Sequence, residues 1–538
     1  MELNPRIPGQ YVQLKAQESP DKVIFTFEGW SSGIADEVIT VGSLWENSAK
    51  VAQELVRQGL QPRDTFALFM RNHPEFVYGL IGGSISGTVF VPIDPRQKGD
   101  KLRYQLMHAE CKAVLTSTDL LPQLEEVLPQ VPGVRCIIAT QRPGGPPATG
   151  QIVRSYQEVL REPLRAEPAQ RVTDMSHPIQ VIYTSGTTGD PKGVVAETGR
   201  WTGTAGMVGA VFGYTKDDRL YTGLSLTHGN AQVVTFLAGL YNEVPAVFSP
   251  RFTKSKIWDI CRRYGCTTFS LLGGMMAAIY AEPPRPDDAD NPVRFVLSAG
   301  TPRAIWEDFE RRFNVRILEW YGAVEGGFAF KPIGEGPIGS FGRPIPGVME
   351  MKIVDDDDNE CPPGVVGELI SRVAGAETKV EYLKNPQASA EKTRGGWLRS
   401  GDMCHRDADG WLFFDYRKGS EIRHNGEFIQ PDFVQKVIAE FPEVTDVYVY
   451  GVPAKSGAPG EKDVVAAVVL LEGDMFDPID FFGNCVKQLE RNQVPSYVQV
   501  LKEIPKTASE KPQDRFLIDD LTKRRNPVYE FESYAAQL

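Results

Sequence analysis

The feature that most constrains this chain is a loop rich in glycine and hydroxyl groups directly after an apolar run. Residues 179–182 read IQVI and predict a buried strand, and residues 183–195 read YTSGTTGDPKGVV. Hydroxyls and backbone N–H groups freed by glycine bind phosphate oxygens, and a lysine adds positive charge. The spacing differs from the P-loop, because Pro191 replaces the glycine before its lysine. We therefore predict a phosphate loop of another type rather than a merely flexible connection.

Composition narrows the classes of partner. The chain has 538 residues, enough for more than one domain, and its net charge of −12 disfavours nucleic-acid and anionic-membrane partners. Seven scattered cysteines without paired zinc spacing favour reduced thiols in a cytoplasmic protein.

The first ten residues lack the pattern of a signal peptide and no apolar run reaches transmembrane length, so we expect no stable membrane insertion. The acidic run DDDDN at 355–359 favours a hairpin turn over a metal site.

Strand and helix signals alternate through most of the chain. Runs at 65–70, 88–94 and 113–116 predict strands, and segments opening at 41, 74 and 101 predict helices. This alternation favours a large layered α/β domain with parallel-rich sheets. From about residue 350 short strands with turn signals follow, and the last segment has its own α+β composition. We predict an N-terminal domain over 1–416 and a small C-terminal domain over 417–538.

Further short motifs follow the loop in a fixed order. They are YGAVEGG at 321–327, WLRSGD at 397–402, YRKG at 416–419 leading into IRHNG at 422–426, and PKTASEK at 505–511. Together with the loop they resemble the acyl-adenylate-forming superfamily of AMP-dependent synthetases and ligases, over nearly the whole chain. HGNAQ at 228–232, LLGGM at 271–275 and PPRPD at 283–287 look most like its crotonobetaine/carnitine–CoA ligase branch.

The resemblance implies an acyl-CoA synthetase that works in two half-reactions. A carboxylate is a poor acyl donor because its leaving group would be oxide. Attack on the α-phosphorus of ATP gives an acyl adenylate and pyrophosphate, and the thiol of CoA then displaces AMP. ATP, Mg²⁺ and CoA are the implied cofactor set, and a small-molecule carboxylic acid is the substrate. Magnesium bridges phosphate oxygens and takes oxygen ligands.

The resemblance also implies which residues form the site. Glu325 would be the magnesium ligand, and Arg423 and Gly426 would belong to a loop beside CoA. The implied acyl pocket comprises Trp201, His228, Gly274, Gly300 and Gly326. The implied ATP and AMP site comprises Thr184, Ser185, Gly186, Thr187, Thr188, Gly189, Lys192, Ser298, Ala299, Gly300, Tyr321, Gly322, Asp402 and Arg417.

The resemblance implies distinct chemical roles for three residues, Lys511, His228 and Asp402. Lys511 would bridge the attacking carboxylate and the α-phosphate, and His228 would stand between the acyl pocket and the thiol tunnel. Asp402 would accept the two ribose hydroxyls, because an ionised carboxylate only accepts. Taken singly, each has a plainer interpretation: a solvated lysine, a structural histidine or a surface acid.

The small domain of this superfamily turns between the half-reactions, so we predict a hinge near residues 417–419. This chain departs from the usual pattern at three positions. Val324 replaces a threonine that contacts the α-phosphate, Gly419 replaces a hinge Asp or Lys, and Glu510 replaces a common glycine. Loss of one neutral hydrogen bond costs about 1 kcal/mol, so slower adenylation is expected rather than none.

Alternatives remain open on acceptor, substrate and assembly. The acyl group could pass to the phosphopantetheine of a carrier protein instead of free CoA. A nucleotide-binding protein with weakened catalysis is the third hypothesis, suggested by Val324 and Gly419. The acid could be carnitine-like, aromatic, dicarboxylic or aliphatic, and a homodimer is left open.

Overall fold

The chain divides into two compact units, each built from several stretches of sequence. The computed structural model describes residues 3–29, 34–140, 153–184, 191–419, 422–424, 427–455, 462–471, 473–507 and 511–537. The first unit comprises Met1–Ser270, Asn291–Val296 and Lys379–Glu391, and the second comprises Leu271–Asp290, Leu297–Thr378 and Lys392–Leu538. The domain boundary between residues 416 and 417 stays a prediction.

Strands and helices alternate through the described ranges. The strands are β1 (Val23–Phe27), β2 (Glu37–Thr40), β3 (Thr65–Phe69), β4 (Val89–Pro92), β5 (Ala113–Ser117), β6 (Cys136–Thr140), β7 (Val153–Ser155), β8 (Pro178–Thr184), β9 (Lys192–Glu197), β10 (Leu220–Thr222), β11 (Ala246–Phe248), β12 (Thr268–Leu272), β13 (Phe295–Ala299), β14 (Arg316–Ala323), β15 (Gly326–Lys331), β16 (Arg343–Pro344), β17 (Met349–Val354), β18 (Gly367–Val373), β19 (Glu381–Tyr382), β20 (Leu398–Arg406), β21 (Leu412–Arg417), β22 (Ile422–His424), β23 (Glu427–Ile429), β24 (Val444–Pro453), β25 (Lys462–Leu470), β26 (Tyr497–Leu501) and β27 (Val528–Glu530). The α-helices are α1 (Pro8–Glu18), α2 (Val41–Arg57), α3 (Pro74–Ser86), α4 (Gly99–His108), α5 (Leu121–Val127), α6 (Tyr156–Arg161), α7 (Thr198–Phe212), α8 (Ala238–Asn242), α9 (Ile257–Tyr264), α10 (Gly273–Tyr280), α11 (Trp306–Phe313), α12 (Pro386–Lys392), α13 (Pro431–Ile438), α14 (Pro478–Gln488) and α15 (Asp514–Lys523). None of the helices in these ranges is long and apolar enough to cross a membrane.

The first unit contains an eight-stranded sheet in the order β19-β9-β8-β4-β3-β5-β6-β7. The pairs β3–β4, β3–β5, β5–β6 and β4–β8 are parallel, as the alternation of strands and helices predicted. A second group in this unit runs β12-β10-β11-β1-β2. Helix α2 begins after a capping box formed by Thr40 and Ser43, and it buries Leu44, Val51 and Leu55.

The second unit contains smaller sheets with more antiparallel pairing. Strands β13 to β16 lie in the order β16-β15-β14-β13, and β17-β18-β20-β21 form a four-stranded antiparallel sheet. The C-terminal segment has its own sheet, β24-β25-β26-β27. Its apolar core includes Val434, Ile438, Val464 and Phe482, all of which are buried. This agrees with the predicted α+β composition of that segment.

Turn chemistry explains how one of these hairpins closes. The acidic run at 355–359 is the predicted turn: the Asp355 carboxylate accepts hydrogen bonds from the backbone N–H groups of Asp357 and Asn359. Strand β14 continues through residues 321–323, so the start of the YGAVEGG motif lies on the strand itself. Tyr321 therefore has an alternating strand position, which fixes the direction of its side chain.

Candidate active site

The predicted phosphate loop starts and ends on two paired strands of the first unit. Strands β8 and β9 are antiparallel, with Thr184 opposite Lys192. A side chain at Gly193 would place its Cβ 2.8 Å from Cγ1 of Val181, so close strand packing requires glycine there. The Lys192 ammonium lies over the ring of Tyr382 at 5.4 Å. The predicted residues Ser185, Gly186, Thr187, Thr188 and Gly189 lie outside the described residues.

His228 and Trp201, two residues of the predicted acyl pocket, both lie in the first unit. The His228 Nδ1 atom accepts a hydrogen bond from the backbone N–H of Asn230 at 3.2 Å, so the neutral ring carries its proton on Nε2. Burial lowers the pKa of His228 to about 4, and the ring is therefore neutral at pH 7. Trp201 is 5% exposed and packs edge-on against Phe90, with ring centroids 5.9 Å apart. Its indole is held rigidly by this packing.

A π-helix follows His228, and Asn230, the residue just before this helix, has a buried side-chain amide. The π-helix covers Ala231–Leu237, a geometry often found at functional sites. Asn230 is 5% exposed, and neither its amide oxygen nor its amide nitrogen has a hydrogen-bond partner among the described residues. The indole N–H of Trp201 is likewise without one in the described part of the chain. Buried polar atoms of this kind are rare in a finished core and are suited to a ligand.

In the second unit, two predicted nucleotide residues, Tyr321 and Arg417, bind the carboxylate of a third, Asp402. The Tyr321 hydroxyl donates to Oδ2 of Asp402 at 2.5 Å, and Nη1 of Arg417 donates to Oδ1 at 2.6 Å. The antiparallel pairing of β20 with β21 sets Asp402 opposite Arg417. Burial raises the pKa of the Tyr321 hydroxyl well above its usual value, and the Asp402 charge adds to this, so Tyr321 keeps its proton.

This arrangement fits a ribose. A carboxylate has about four lone-pair positions, so Asp402 can accept further hydroxyl donors beside Tyr321 and Arg417. Asp402 is 5% exposed, and its backbone N–H donates to the Ser400 hydroxyl at 2.9 Å. The carboxylate is therefore fixed in position from both ends.

A buried acid, Glu319, holds the predicted adenine segment 298–300 and the residue after it. Its carboxylate accepts the backbone N–H of Gly300 at 2.5 Å, that of Thr301 at 3.1 Å and the Thr301 hydroxyl at 2.5 Å. Burial raises the pKa of Glu319 to about 7, while these hydrogen bonds and Lys331 on the neighbouring strand oppose the rise. Gly300 has a φ of +87°, which only glycine adopts readily. The Ser298 hydroxyl is buried without a partner among the described residues.

Glu325 occupies the turn between strands β14 and β15. A register shift occurs between Gly322 and Ala323, and Gly326 and Gly327 have φ of +136° and +78°. The two glycines are therefore required by the turn, whatever room they also leave for an acyl group. Glu325 offers hard carboxylate oxygens of the kind that Mg²⁺ binds.

Lys392 is a charged residue beside this group that the sequence reasoning missed. It ends helix α12, and its ammonium donates to the carbonyl oxygen of Ser400 at 3.1 Å. Burial lowers the pKa of Lys392, and the negative charges of Glu325, Asp402 and Glu368 oppose the shift. A lysine at a helix end is normally solvated, so no sequence signal singled it out.

The C-terminal lysine motif lies in a closed loop of the second unit. The Thr507 backbone N–H donates to the Lys511 carbonyl at 2.7 Å, and the Lys511 N–H donates to the Thr507 hydroxyl at 3.1 Å. The Lys511 side chain is exposed. The Lys506 ammonium pairs with Asp446 and lies 3.6 Å from the Cβ position of Gly274. Gly274 thus lies against the Lys506 segment in this structure.

The predicted CoA-side loop is described only in part. Arg423 lies exposed on strand β22, and its neighbour His424 hydrogen-bonds through Nδ1 to the Lys462 carbonyl at 2.7 Å. Gly426 lies outside the described residues. The role of this loop stays a prediction.

Comparison with known proteins identifies the family. The model of the AMP-binding enzyme family matches residues 12–378, and that of the AMP-binding enzyme C-terminal domain matches residues 434–511. The medium/long-chain-fatty-acid–CoA ligase FadD17 of Mycobacterium tuberculosis is 32% identical over 470 residues, covering 86% of this chain and 88% of that protein. The crotonobetaine/carnitine–CoA ligase of Salmonella paratyphi B is 27% identical over 505 residues, covering 91% and 95%.

The solved structures agree on the fold. The anthranilate CoA ligase AuaEII superposes with a TM-score of 0.82 at 22% identity, covering 97% of this chain and 98% of that one. The chain belongs to the AMP-binding enzyme family. The predicted superfamily, the α/β fold class and the class of AMP-forming acid–thiol ligase are thereby confirmed. The roles of individual site residues stay predictions.

Proposed function

We propose that this chain is an ATP-dependent carboxylate–CoA ligase that forms an acyl adenylate and then an acyl-CoA. The observation that carries the proposal is the buried Asp402 carboxylate held by Tyr321 and Arg417, a ribose-type site within an AMP-binding enzyme. Its relatives are named as CoA ligases for fatty, steroid and sulfonated acids. ATP, Mg²⁺ and CoA are accordingly the expected cofactor set.

In the first half-reaction, the chain's own residues bind and orient the nucleotide. Asp402 accepts the ribose hydroxyls, Tyr321 lies against the adenine, and the segment held by Glu319 borders the adenine edge. Thr184, Lys192 and the loop between them hold the leaving pyrophosphate. Glu325 is the proposed ligand of Mg²⁺, which when bound neutralises phosphate charge. Lys511 stabilises the negative charge that spreads as the carboxylate attacks the α-phosphorus.

In the second half-reaction, the thiol of CoA attacks the acyl carbon and AMP leaves. His228 stands on the acyl side as a neutral ring, because its lowered pKa keeps it unprotonated at pH 7. Arg423 and Gly426 are proposed to lie beside the pantetheine arm, with rotation about residues 417–419 exchanging the two reactions. Gly419 has a φ of +81°, a conformation that glycine permits without strain.

The test is pyrophosphate release with a panel of acids, followed by thioester formation with free CoA. The panel contains medium- and long-chain fatty acids, a steroid acid, crotonobetaine, sulfoacetate and benzoate, following the names of the relatives and structural neighbours. Acid-dependent release together with acyl-CoA formation supports the proposal. Release without acyl-CoA favours a carrier protein as acceptor. ATP binding without release for any acid favours the nucleotide-binding alternative.

Cytoplasmic placement and assembly belong to the same proposal. The seven cysteines are free and buried, which fits a compartment that keeps thiols reduced. A homodimer remains open, and light scattering after gel filtration measures it directly. Nucleic acid is not an expected partner at a net charge of −12.

A further inference from the structure

A half-buried lysine, Lys392, stands among the acidic residues of the second unit without a role in the proposed mechanism. Lys392 donates one hydrogen bond, to the Ser400 carbonyl, as far as the described residues go. An ammonium has three N–H donors, so two remain for another acceptor. Ser400 is joined through Gly401 to Asp402, and the Ser400 hydroxyl also accepts the Asp402 backbone N–H. One short backbone segment therefore positions both the lysine and the proposed ribose carboxylate.

The charges that act on Lys392 identify its ionised neighbours. Apart from burial, the charge that most affects the Lys392 pKa is that of Glu325, followed by Arg417, Asp402 and Glu368. Glu325 and Asp402 also act on the guanidinium of Arg417. Lys392 and Arg417 thus belong to one electrostatic group with the carboxylates of Glu325, Asp402 and Glu368, in which opposite charges offset one another before any ligand arrives.

The order of groups in a nucleotide would place a phosphate between Asp402 and Glu325. The α-phosphate is attached to the 5′ oxygen of the ribose, and a metal held by Glu325 would supply positive charge to the phosphates. If Asp402 holds the ribose and Glu325 the metal, the phosphate nearest the ribose lies between them. Lys392 is the cation that both carboxylates influence and that has donors to spare.

We propose that Lys392 is a phosphate-binding residue of the nucleotide site, held by the Ser400 carbonyl until its other donors engage the phosphate next to the ribose. The inference rests on the proposed function, since it takes Asp402 as the ribose carboxylate and Glu325 as the metal ligand. A lysine suits this position because it is a compact charge with rotatable donors. The partial burial of Lys392 strengthens its attraction to a phosphate, because fewer water molecules screen the two charges.

The test is calorimetric binding of adenosine, AMP and ATP with Mg²⁺ to the full chain and its variants. Lys392→Met keeps the length of the side chain and removes the charge. We expect at least a tenfold rise in Kd for AMP and ATP, with adenosine binding unchanged. Lys392→Arg retains the charge and should lose less. Lys384→Met is the matched control, because Lys384 is exposed and pairs only with Glu110 at 2.6 Å among the described residues.

The outcomes separate this inference from the proposed function. Unchanged AMP binding in Lys392→Met would overturn it, and so would an equal loss of adenosine and AMP binding, which indicates a purely structural role. Melting temperatures measured alongside identify any general loss of folding. If the wild-type chain released no pyrophosphate with any acid while Lys392→Met still lost AMP selectively, the ligase proposal would fail and this one would stand. A wild-type chain that binds neither AMP nor ATP overturns both.

Discussion

At the scale of single residues, the carboxyl group of Glu319 is buried, and its hydrogen-bond partners among the described residues are all donors. Three of its hydrogen bonds come from Gly300 and Thr301, and burial raises its pKa to about 7. In the unfolded chain a glutamate titrates near 4.3. Between these values the folded chain holds a proton that the unfolded chain has released. The contribution of Glu319 to stability is therefore full at low pH and is lost as pH rises through about 7.

Replacing this acid with its neutral isostere should remove the pH dependence. In Glu319→Gln the amide oxygen can accept both backbone N–H groups while the amide nitrogen donates to the Thr301 hydroxyl. We expect the variant to gain on the wild type by up to about 3 kcal/mol as pH rises from 4.5 to 8, since each pKa unit is worth about 1.4 kcal/mol. The measurement is the difference in melting temperature between variant and wild type across this range.

A second variant shows whether the carboxyl group is responsible. Thr301→Val removes one hydrogen bond but leaves the acid, so its melting profile should keep the wild-type pH slope at a lower overall stability. Parallel profiles for the wild type and Glu319→Gln would contradict the assignment.

What the sequence could predict at this scale depended on local motifs. Tyr321, Asp402 and Arg417 stand in short ordered motifs, and the structure brings their side chains together. Glu319 and Lys392 stand in no such motif, and acids and lysines are normally exposed. Their burial arises from β-strand and helix-end positions whose neighbours come from distant parts of the chain, which periodicity does not encode.

At the scale of elements, the β14–β15 hairpin fixes the proposed metal ligand. Glu325 lies where the strands join, and the turn requires positive φ at both Gly326 and Gly327. The side chain direction of Glu325 therefore depends on the glycine that follows it. The YGAVEGG motif singled out this turn in the sequence, whereas the end of strand β14 follows from the register shift between Gly322 and Ala323.

Gly326→Ala should disturb this turn and weaken the metal site. An L-residue at a φ of +136° is strained, typically by about 1–3 kcal/mol. We expect pyrophosphate release to need a several-fold higher Mg²⁺ concentration, measured by titrating Mg²⁺ at saturating ATP.

The control for this prediction is another glycine with positive φ, in an unrelated turn. Gly375→Ala also forces a residue to positive φ, at +72°, but no atom lies within 4 Å of its Cβ position. It should lose stability without changing the Mg²⁺ requirement. A change in the KM of the acid alone in Gly326→Ala would instead point to the acyl pocket.

At the scale of the whole molecule, the proposed reaction needs Lys511 for one half only. The residue lies in the C-terminal segment that pairs β24 to β27, apart in sequence from the other nucleotide residues. Lys511→Ala should reduce acyl-adenylate formation by about 100-fold or more, as removal of one transition-state donor commonly does. Thioester formation from supplied acyl adenylate and CoA should stay near the wild-type rate.

Exposed Lys502 provides the comparison for charge removal in the same segment. Lys502→Ala should leave both half-reactions unchanged. If Lys511→Ala slowed both half-reactions equally, Lys511 would contribute to the stability of the fold rather than to adenylation.

The alternation of strands and helices predicted the fold class. The division into units built from non-contiguous stretches depends on long-range packing, which no local sequence pattern reports.

The locked Asp402 carboxylate has a consequence for the thermodynamics of nucleotide binding. Tyr321 and Arg417 already hold both oxygens in one orientation. Ordering a flexible side chain on binding costs about 0.5–1.5 kcal/mol, and here that ordering has taken place during folding. Adenosine binding should therefore lose little further entropy in ordering this side chain. Its encounter rate should be limited by diffusion and orientation rather than by rearrangement of this carboxylate.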